Sequence, residues 1–234
     1  MAVRGGMAMK IGLDVLTGYM HKGLEELNEE GIKNIISDRE SSEEAKTTMR
    51  SKDTYTRQEE NVQVSFHYIG LMKRLYPALF TLKERAQPLR HNHEFFELVY
   101  VYRGEFTQWI EKREEKQGHS RIFLLNPYMY HGFRSKTDED IAVNFLIDPS
   151  FVQMALANLY NCEYQIISFL LDAVYGSKKK AYLVFETTEE LEAILNGLMQ
   201  EYFERKPFYR EMIRIKMTEL FVYLARIYQP QDFD

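Results

Sequence analysis

The central part of the chain alternates between apolar and polar positions with a period of two. Short apolar-rich runs bounded by Gly, Pro, Asn or charged residues recur from about residue 62 to about residue 148. The runs are VQVSFHYIG, LFTLKERA, HEFFELVYVY, EFTQWIEK, SRIFLLNP and IAVNFLID. Many short strands with closely spaced turn signals are typical of an all-β sandwich or barrel. The pattern therefore predicts a β-domain over residues 62–150.

The spacing becomes helical after Pro149. Helical spacing is found in SFVQMALANLYN, in YQIISFLLDAVYG and over roughly residues 208–228. A further helix starts after a short strand, with Thr188 as its N-cap. The apolar positions of the last helix step by four and three, as in a coiled-coil seam: Ile213, Met217, Leu220, Leu224 and Ile227. This seam packs either on a neighbouring helix or on a second copy of the chain. We predict a homodimer through it, and a helical dimerisation region over 151–234.

The first part of the chain, residues 1–61, is predicted to be a helical and flexible extension. Residues 11–36 show loose helical spacing that Gly23 and Gly31 interrupt. Residues 37–60 contain no Leu, Ile, Val or Phe, so they offer little apolar area to offset the entropy of ordering. We interpret them as a mobile linker or an exposed helix end.

Composition and charge narrow the range of functions that are open to this chain. The formal net charge of −5 argues against nucleic-acid binding by this chain alone, because phosphate binding needs a surplus of Lys and Arg on one face. Cys162 is the only cysteine, which excludes an internal disulfide and a Cys-x-x-Cys site. No secretion signal is evident, and no run approaches the roughly 18 apolar residues of a membrane span. We expect a cytoplasmic protein with no membrane partner.

Two histidines and a glutamate interrupt the most hydrophobic strand candidate, HNHEFFELVYVYRG. Strand alternation places His91, His93 and Glu97 on one face. A carboxylate in an apolar interior needs a hydrogen bond, an ion pair, a metal or a wet pocket. His131 follows a turn at Asn126-Pro127 and supplies a third imidazole. Three imidazoles and a carboxylate suit a transition metal or a polar ligand.

Three hypotheses compete for this set. It binds an organic effector, it binds a metal through His91, His93, Glu97 and His131, or it is a structural network of mutually satisfied side chains. In the effector hypothesis the ligand-binding residues are the same four together with Trp109 and Tyr130. Trp109 would face inward if the strand alternation continued through Gly104, although an ordinary core or surface role is also open. Tyr130 would cover the mouth of the pocket.

The order of these motifs resembles a known family. His91-x-His93-x-x-x-Glu97, six residues and Gly104 match the first cupin motif, whereas Pro127 to His131 matches only half of the second, Pro-x-Gly-x-x-His. Together with IFLLNPYMYHGF, NFLIDPSFV and the helices that follow, they resemble the N-terminal effector-binding domain of AraC-type transcriptional regulators. The resemblance implies an α+β fold, a cupin-like (jelly-roll) β-barrel followed by a C-terminal α-helical unit.

The resemblance also implies a function. It implies a small-molecule pocket inside the barrel for a sugar or another small polar metabolite, a homodimer through the C-terminal helices, and DNA binding only through a helix-turn-helix part absent from this chain. We therefore predict a protein that is not an enzyme and requires no cofactor. The alternative is a metal-dependent cupin enzyme of the dioxygenase or isomerase type, with a divalent transition metal on the histidines and Glu97. A third hypothesis is a stand-alone dimerisation partner of a full-length regulator.

Overall fold

The chain forms two β-sheets followed by a layer of helices. The structure is a computed structural model that describes residues 11–25, 47–49, 62–75, 90–156, 169–172 and 182–228. The strand predicted at 79–86 and Cys162 lie outside these residues. The elements are α1 (Leu13–Glu25), β1 (Thr47–Met49), β2 (Val62–His67), α2 (Ile69–Leu75), β3 (His91–His93), β4 (Phe96–Arg103), β5 (Glu105–Ile110), β6 (Arg113–Gly118), β7 (Arg121–Leu125), β8 (His131–Ser135), β9 (Ile141–Ile147), α3 (Pro149–Leu156), β10 (Tyr182–Glu186), α4 (Glu189–Glu204) and α5 (Tyr209–Ile227).

The two sheets form a jelly-roll-like sandwich. Sheet A has the order β1-β3-β8-β5-β6 and sheet B the order β10-β7-β4-β9-β2. Strand β1 pairs in parallel with β3, and the remaining pairs in the described residues are antiparallel. The predicted α+β fold with a cupin-like jelly-roll barrel and helices behind it is confirmed.

The strands extend beyond the predicted limits of the β-domain. Strand β10 lies after residue 150, in the region assigned to helices, yet it pairs with β7 and completes sheet B. Strand β1 lies within the predicted flexible extension and adds an edge to sheet A. Helix α1 also packs on the domain, because Leu16 and Met20 are buried in its main core. The order of elements along the chain is therefore not the order of layers in space.

Sheet B buries its two faces against different partners. Alternate residues such as Val64, Leu98 and Phe145 belong to the large core that the helices share. The residues between them, such as Val99 and Ala142, belong to a smaller cluster with residues of sheet A. The helix-facing side of sheet B is apolar, and its other side lines the interior of the sandwich. This division decides which polar side chains lie inside the domain.

The predicted dimer seam on α5 packs within the chain. Met217, Leu220 and Leu224 are fully buried and Ile213 nearly so, in the core that also holds α3 and α4, while Ile227 is partly buried against it. Side chains enclosed by their own chain offer no surface to a second copy, so the structure contradicts the assignment of Ile213, Met217, Leu220 and Leu224 to a dimer interface. For Ile227, which is only partly buried, that assignment stays a prediction. A stripe with steps of four and three fits an antiparallel helix neighbour equally well. The homodimer itself stays a prediction.

Two local features follow from single residues. Thr188 caps α4, as predicted, by accepting a hydrogen bond from the Leu191 N–H at 3.1 Å. Gly104 connects β4 to β5 with a φ of 85°, a conformation that favours glycine. A Cβ at this position would also clash with the carboxylate of Asp140. In the described part of the chain, no helix is both long and apolar enough to cross a membrane.

Candidate functional site

The histidine motif is divided between the two sheets. The stretch HNHEFFELVYVYRG forms two strands instead of the single predicted strand, because the chain bends at Glu94 and Phe95. Strand β3 carries His91 and His93 in sheet A, and β4 carries Glu97 in sheet B. The bend itself is packed, since the rings of His93 and Phe95 stack with centroids 3.9 Å apart. The motif therefore brings its imidazoles and its carboxylate together across the interior of the sandwich.

The structure places His91, His93, Glu97 and His131 in one cluster. One potential ligand atom from each lies within 4.8 Å of all the others. The Glu97 Oε2 atom lies 2.8 Å from His93 Nε2 and 3.0 Å from His131 Nε2. His91 is the cross-strand neighbour of His131, with ring centroids 4.5 Å apart. His93, Glu97 and His131 are buried, and His91 is partly exposed.

Each of the two buried rings faces an oxygen at both of its nitrogens. The Nδ1 atom of His93 lies 2.9 Å from the Phe95 carbonyl, and that of His131 lies 3.0 Å from the Met129 carbonyl. Their Nε2 atoms face Glu97. A carbonyl only accepts hydrogen bonds, and a neutral imidazole donates through only one nitrogen. While Glu97 is ionised, both contacts of a ring are satisfied only if the ring is an imidazolium, or if it donates from Nδ1 while a cation binds at Nε2.

Burial and charge oppose each other in this cluster. Burial alone would raise the pKa of Glu97, but His131 and His93 outweigh it and hold the pKa below its usual range. Burial lowers the pKa of His131, yet the adjacent Glu97 carboxylate raises it by more. For His93, burial and the neighbouring His131 prevail and leave the pKa lowered. These shifts favour charge on Glu97 and His131, and His93 is the ring for which protonation is most costly.

The same four side chains fit a divalent transition metal by donor type. Three imidazoles and a carboxylate are ligands that Zn, Fe, Mn or Ni accept. The backbone carbonyls at Nδ1 would fix the tautomer that presents Nε2, which is the usual outer-shell arrangement of a metal-binding histidine. Lone pairs on two Nε2 atoms and on Glu97 Oε2 point at one region, and a cation would relieve their repulsion. The donor set therefore suits either protons or a metal.

Further polar side chains line the interior beside this cluster. Pairing between β4, β9 and β2 sets three rows across sheet B: Glu97–Leu146–Gln63, Val99–Asn144–Ser65 and Val101–Ala142–His67. Ser65, His67, Asn144 and Leu146 are only partly buried although they face the other sheet. The space between the sheets is therefore open to solvent on the side of β2 and β9.

Comparison with known proteins identifies the family. The sequence matches the AraC-like ligand binding domain over residues 85–221, more than half of the chain. This chain belongs to the AraC-like ligand-binding domain family. The family predicted from the sequence, that of the AraC-type regulators, is thus confirmed.

Several solved structures are similar to this AraC-like domain. An apo variant of ToxT from Vibrio cholerae has 15% identity and a TM-score of 0.49, covering 75% of this chain and 61% of its own. Fatty-acid-bound wild-type ToxT from the same species has 16% identity and a TM-score of 0.40, covering 57% and 46%. The AraC-like transcriptional activator CuxR has 13% identity and a TM-score of 0.36, covering 59% and 45%. No curated protein sequence matches the chain. The chain spans about three fifths (61%) of the length of the apo ToxT variant.

Two predicted ligand-binding residues of the AraC-like domain lie apart from the buried cluster. Trp109 is half-buried on the face of β5 opposite to Phe106 and Ile110, and Arg134 lies over its ring at 5.5 Å. The alternation does not continue through the turn at Gly104, so Trp109 does not face inward, and its role in ligand binding stays a prediction. Tyr130 is half-buried in the loop before β8, where its backbone N–H and carbonyl are both bonded to Glu111. Its role in ligand binding stays a prediction.

Sequence reasoning missed the polar interior of the AraC-like domain. His67 contacts the rings of Phe133 and Phe106 with centroids 4.6 and 5.6 Å away. No sequence motif marks Gln63, Ser65 or Asn144. The available signal was the strand VQVSFH, in which every second residue from Gln63 is polar. That alternation was visible, but not which face of the strand would be enclosed.

Proposed function

We propose that this chain is the effector-sensing part of a bacterial AraC-type transcriptional regulator. It binds a small polar molecule between the two sheets, next to His91, His93, Glu97 and His131. DNA binding would belong to helix-turn-helix units outside this sequence, and the domain would have no catalytic role. Membership of the AraC-like ligand-binding family supports the proposal. The observation that carries it is the buried, convergent polar cluster beside an interior that solvent reaches.

Occupancy of the interior would be communicated through sheet B to the helices. The outward-facing Tyr100 of β4 donates a hydrogen bond to Glu192 of α4 at 2.7 Å, and His119 in the β6–β7 turn lies 2.9 Å from the same carboxylate. The neighbouring residue of β4, Val99, faces the interior. A ligand that moves β4 would therefore move the attachment of α4. Ligand binding would then shift the balance between two arrangements of the helices, and this shift would change the activity of the regulator.

A thermal-shift screen against small metabolites tests the proposal. A molecule that binds the folded state raises the melting temperature in proportion to the logarithm of its concentration above Kd. We expect at least one polar metabolite to raise the Tm of the wild-type chain. His131→Asn should abolish this rise, because it removes an imidazole from the cluster.

The matched control is His21→Gln, since His21 is exposed on α1, outside the sandwich interior. It should keep the full ligand-induced shift. If the ligand stabilised His131→Asn as strongly as the wild type, the binding site would lie elsewhere and the proposal would fail.

The second candidate function is a metal-dependent cupin enzyme or metal sensor, and a specific observation favours it. The rings of His93 and His131 each face oxygen acceptors on both sides, and burial opposes the protonation that would satisfy them. A divalent metal held by His91, His93, Glu97 and His131 would replace those protons. It would supply Lewis acidity for activating a bound water or substrate.

Metal analysis separates the two candidates. Protein purified without chelators should carry one transition-metal ion per chain if the second candidate is correct, and a His93→Ala, His131→Ala double variant should carry none. A metal-free wild type that binds a metabolite would support the sensor. The His21→Gln variant controls for adventitious metal on exposed histidines.

A further inference from the structure

Two amide side chains, Gln63 and Asn144, lie in the interior away from the histidine cluster. Gln63 is on the edge strand β2, and Asn144 is on β9 beside it. Because Gln63 pairs with Leu146 and Ser65 with Asn144, the two amides are diagonal neighbours on the same face. Such neighbours lie about 7–8 Å apart at their Cα atoms, close enough for one small molecule to contact both. They alternate with Val64 and Phe145 of the helix-facing core, so they point between the sheets.

Both amides carry a buried oxygen without a hydrogen-bond partner. Gln63 is 6% exposed, and its Oε1 atom has no partner. The Oδ1 atom of Asn144 is likewise buried and unpaired. A buried polar atom left without a partner is costly, and native structures contain few of them. Two such atoms on adjacent strands, facing an interior that solvent reaches, are available to hydrogen-bond a molecule that binds there.

We propose that Gln63 and Asn144 are specificity-determining residues of the effector site and bind hydroxyl groups of a neutral, polyhydroxylated molecule. This inference rests on the proposed function and names the ligand class for that site. A hydroxyl group donates and accepts, so it complements an amide in either orientation of its oxygen and nitrogen. Two amides side by side match hydroxyl groups on neighbouring carbons.

The surroundings select against ionic ligands. Asn144 is flanked across the sheet by Val99 and Ser65, and Gln63 by Leu146, none of which is charged. Glu97, in the same row as Gln63, is already engaged by His93 and His131. An ionic group beside the amides would lose its hydration without gaining a counter-charge.

The geometry also sets the size of the ligand. The Cα atoms of Gln63 and Glu97 are separated by two strand spacings, about 10 Å. Because side chains project from both positions into the interior, a molecule shorter than this separation would contact the amides at one end and the histidine cluster at the other. A single sugar or cyclitol is small enough for this, and an acyclic polyol can extend along the same path.

The test compares ligand classes and amide variants on the full chain. The probes are D-glucose, D-xylose, myo-inositol and sorbitol as neutral polyols, D-glucuronate as a charged analogue, and oleate as an apolar acid. Calorimetry and thermal shift are measured on the wild type, Asn144→Leu and Gln63→Met. We expect a neutral polyol to bind the wild type more tightly than glucuronate or oleate. Each variant should bind that polyol at least tenfold more weakly.

If the two amides bind the ligand, each variant should show two opposite effects that a purely structural role of the amide would not produce together. Replacing an unpaired buried amide with an apolar residue of similar size should raise the Tm of the ligand-free protein while it weakens binding. Asn196→Leu is the matched control, because both amide atoms of Asn196 on α4 are also buried and unpaired. It should raise the Tm and leave the affinity for the polyol unchanged. If Asn144→Leu failed to fold, Gln63→Met on the edge strand would carry the comparison.

Several results would overturn the inference while leaving the proposed function intact. Tight binding of oleate or glucuronate with no response to the polyols would exclude the ligand class. Unchanged polyol affinity in both variants would exclude the two amides as contacts. A wild type that binds none of the polyols would also exclude the class, and the metabolite screen with His131→Asn would still judge whether the interior binds an effector.

Discussion

Glu97 on β4 and His131 on β8 lie 3.0 Å apart between Oε2 and Nε2, and this contact joins the two sheets through the interior of the sandwich. The pKa of His131 is raised above its unfolded value of 6.5, since the attraction of Glu97 outweighs burial. A raised pKa in the folded state means stability that is fully present below pH 6.5 and lost as the pH rises through the folded pKa.

His131→Gln should therefore destabilise the domain most below pH 6.5, with a smaller loss at higher pH. Each unit of pKa difference corresponds to about 1.4 kcal/mol. Urea unfolding of the wild type and the variant at pH values below and above 6.5, with EDTA present, measures the difference in their free energies of unfolding. His21→Gln, at an exposed position on α1, is the control and should leave the free energy of unfolding close to that of the wild type. A constant loss in His131→Gln would indicate that packing, and not charge, dominates at this position.

The fold was predictable because its signals are local. Alternation in IAVNFLID and HEFFELVYVY and the later helical spacing reflect the geometry of single elements. The limits of the β-domain were not predictable in the same way, because β10 joins sheet B from a part of the chain that follows helix α3. Whether a strand at 182–186 belongs to the sandwich depends on a partner, β7, that lies about sixty residues earlier, and alternation carries no information about partners.

The residues of the candidate site could likewise be predicted only in part. His91, His93, Glu97 and His131 could be selected because acids and imidazoles among apolar residues are conspicuous, and the structure brings them together. Gln63 and Asn144 could not, because alternation shows which side chains share a face but not which face is enclosed. The helices cover the wholly apolar side of sheet B, and the side that carries Gln63 and Asn144 among apolar residues faces the other sheet.

Gly104→Ala should destabilise the domain. The left-handed conformation of this residue costs a non-glycine residue about 1–2 kcal/mol. The new Cβ would also displace Asp140, whose carboxylate accepts bonds from the Thr137 N–H and hydroxyl at 2.6 and 2.8 Å. The measurement is the free energy of unfolding in urea. Gly118→Ala is the control, because a Cβ there meets open space, and it should be neutral or slightly stabilising.

Tyr100→Phe should weaken the attachment of α4 to the sandwich. The hydroxyl of Tyr100 donates to the Glu192 carboxylate at 2.7 Å, and a hydrogen bond to a charged group is worth about 1.5–3 kcal/mol. Tyr102→Phe is the comparison, since its hydroxyl donates to the neutral carbonyl of Ile11 and should cost about 0.5–1.5 kcal/mol. A double-mutant cycle with Glu192→Gln isolates the pair. A coupling energy near zero would contradict this connection between sheet B and α4.

Leu220→Ala tests whether the seam of α5 is internal. Leu220 is fully buried within the chain, so truncation should cost about 2–5 kcal/mol of unfolding free energy at any protein concentration. Ile215 on the same helix is 60% exposed, and Ile215→Ala should change stability by less than about 0.5 kcal/mol. Unfolding is followed by circular dichroism at several protein concentrations. A loss in Leu220→Ala that depended on concentration would return the seam to a dimer interface.

The late arrival of β10 has a consequence for synthesis of the chain. Until residues 182–186 leave the ribosome, β7 presents an unpaired edge with Phe123 and Leu125 on one face, and sheet B has no fifth strand. An exposed apolar edge is a template for pairing with other chains. Helices α4 and α5, which cover the opposite face together with α1 and α3, emerge even later, so sheet B is completed and covered only after most of the chain has been made. Any fragment that stops before residue 186 would carry an open edge, and expression of such fragments should yield aggregates where the whole chain folds.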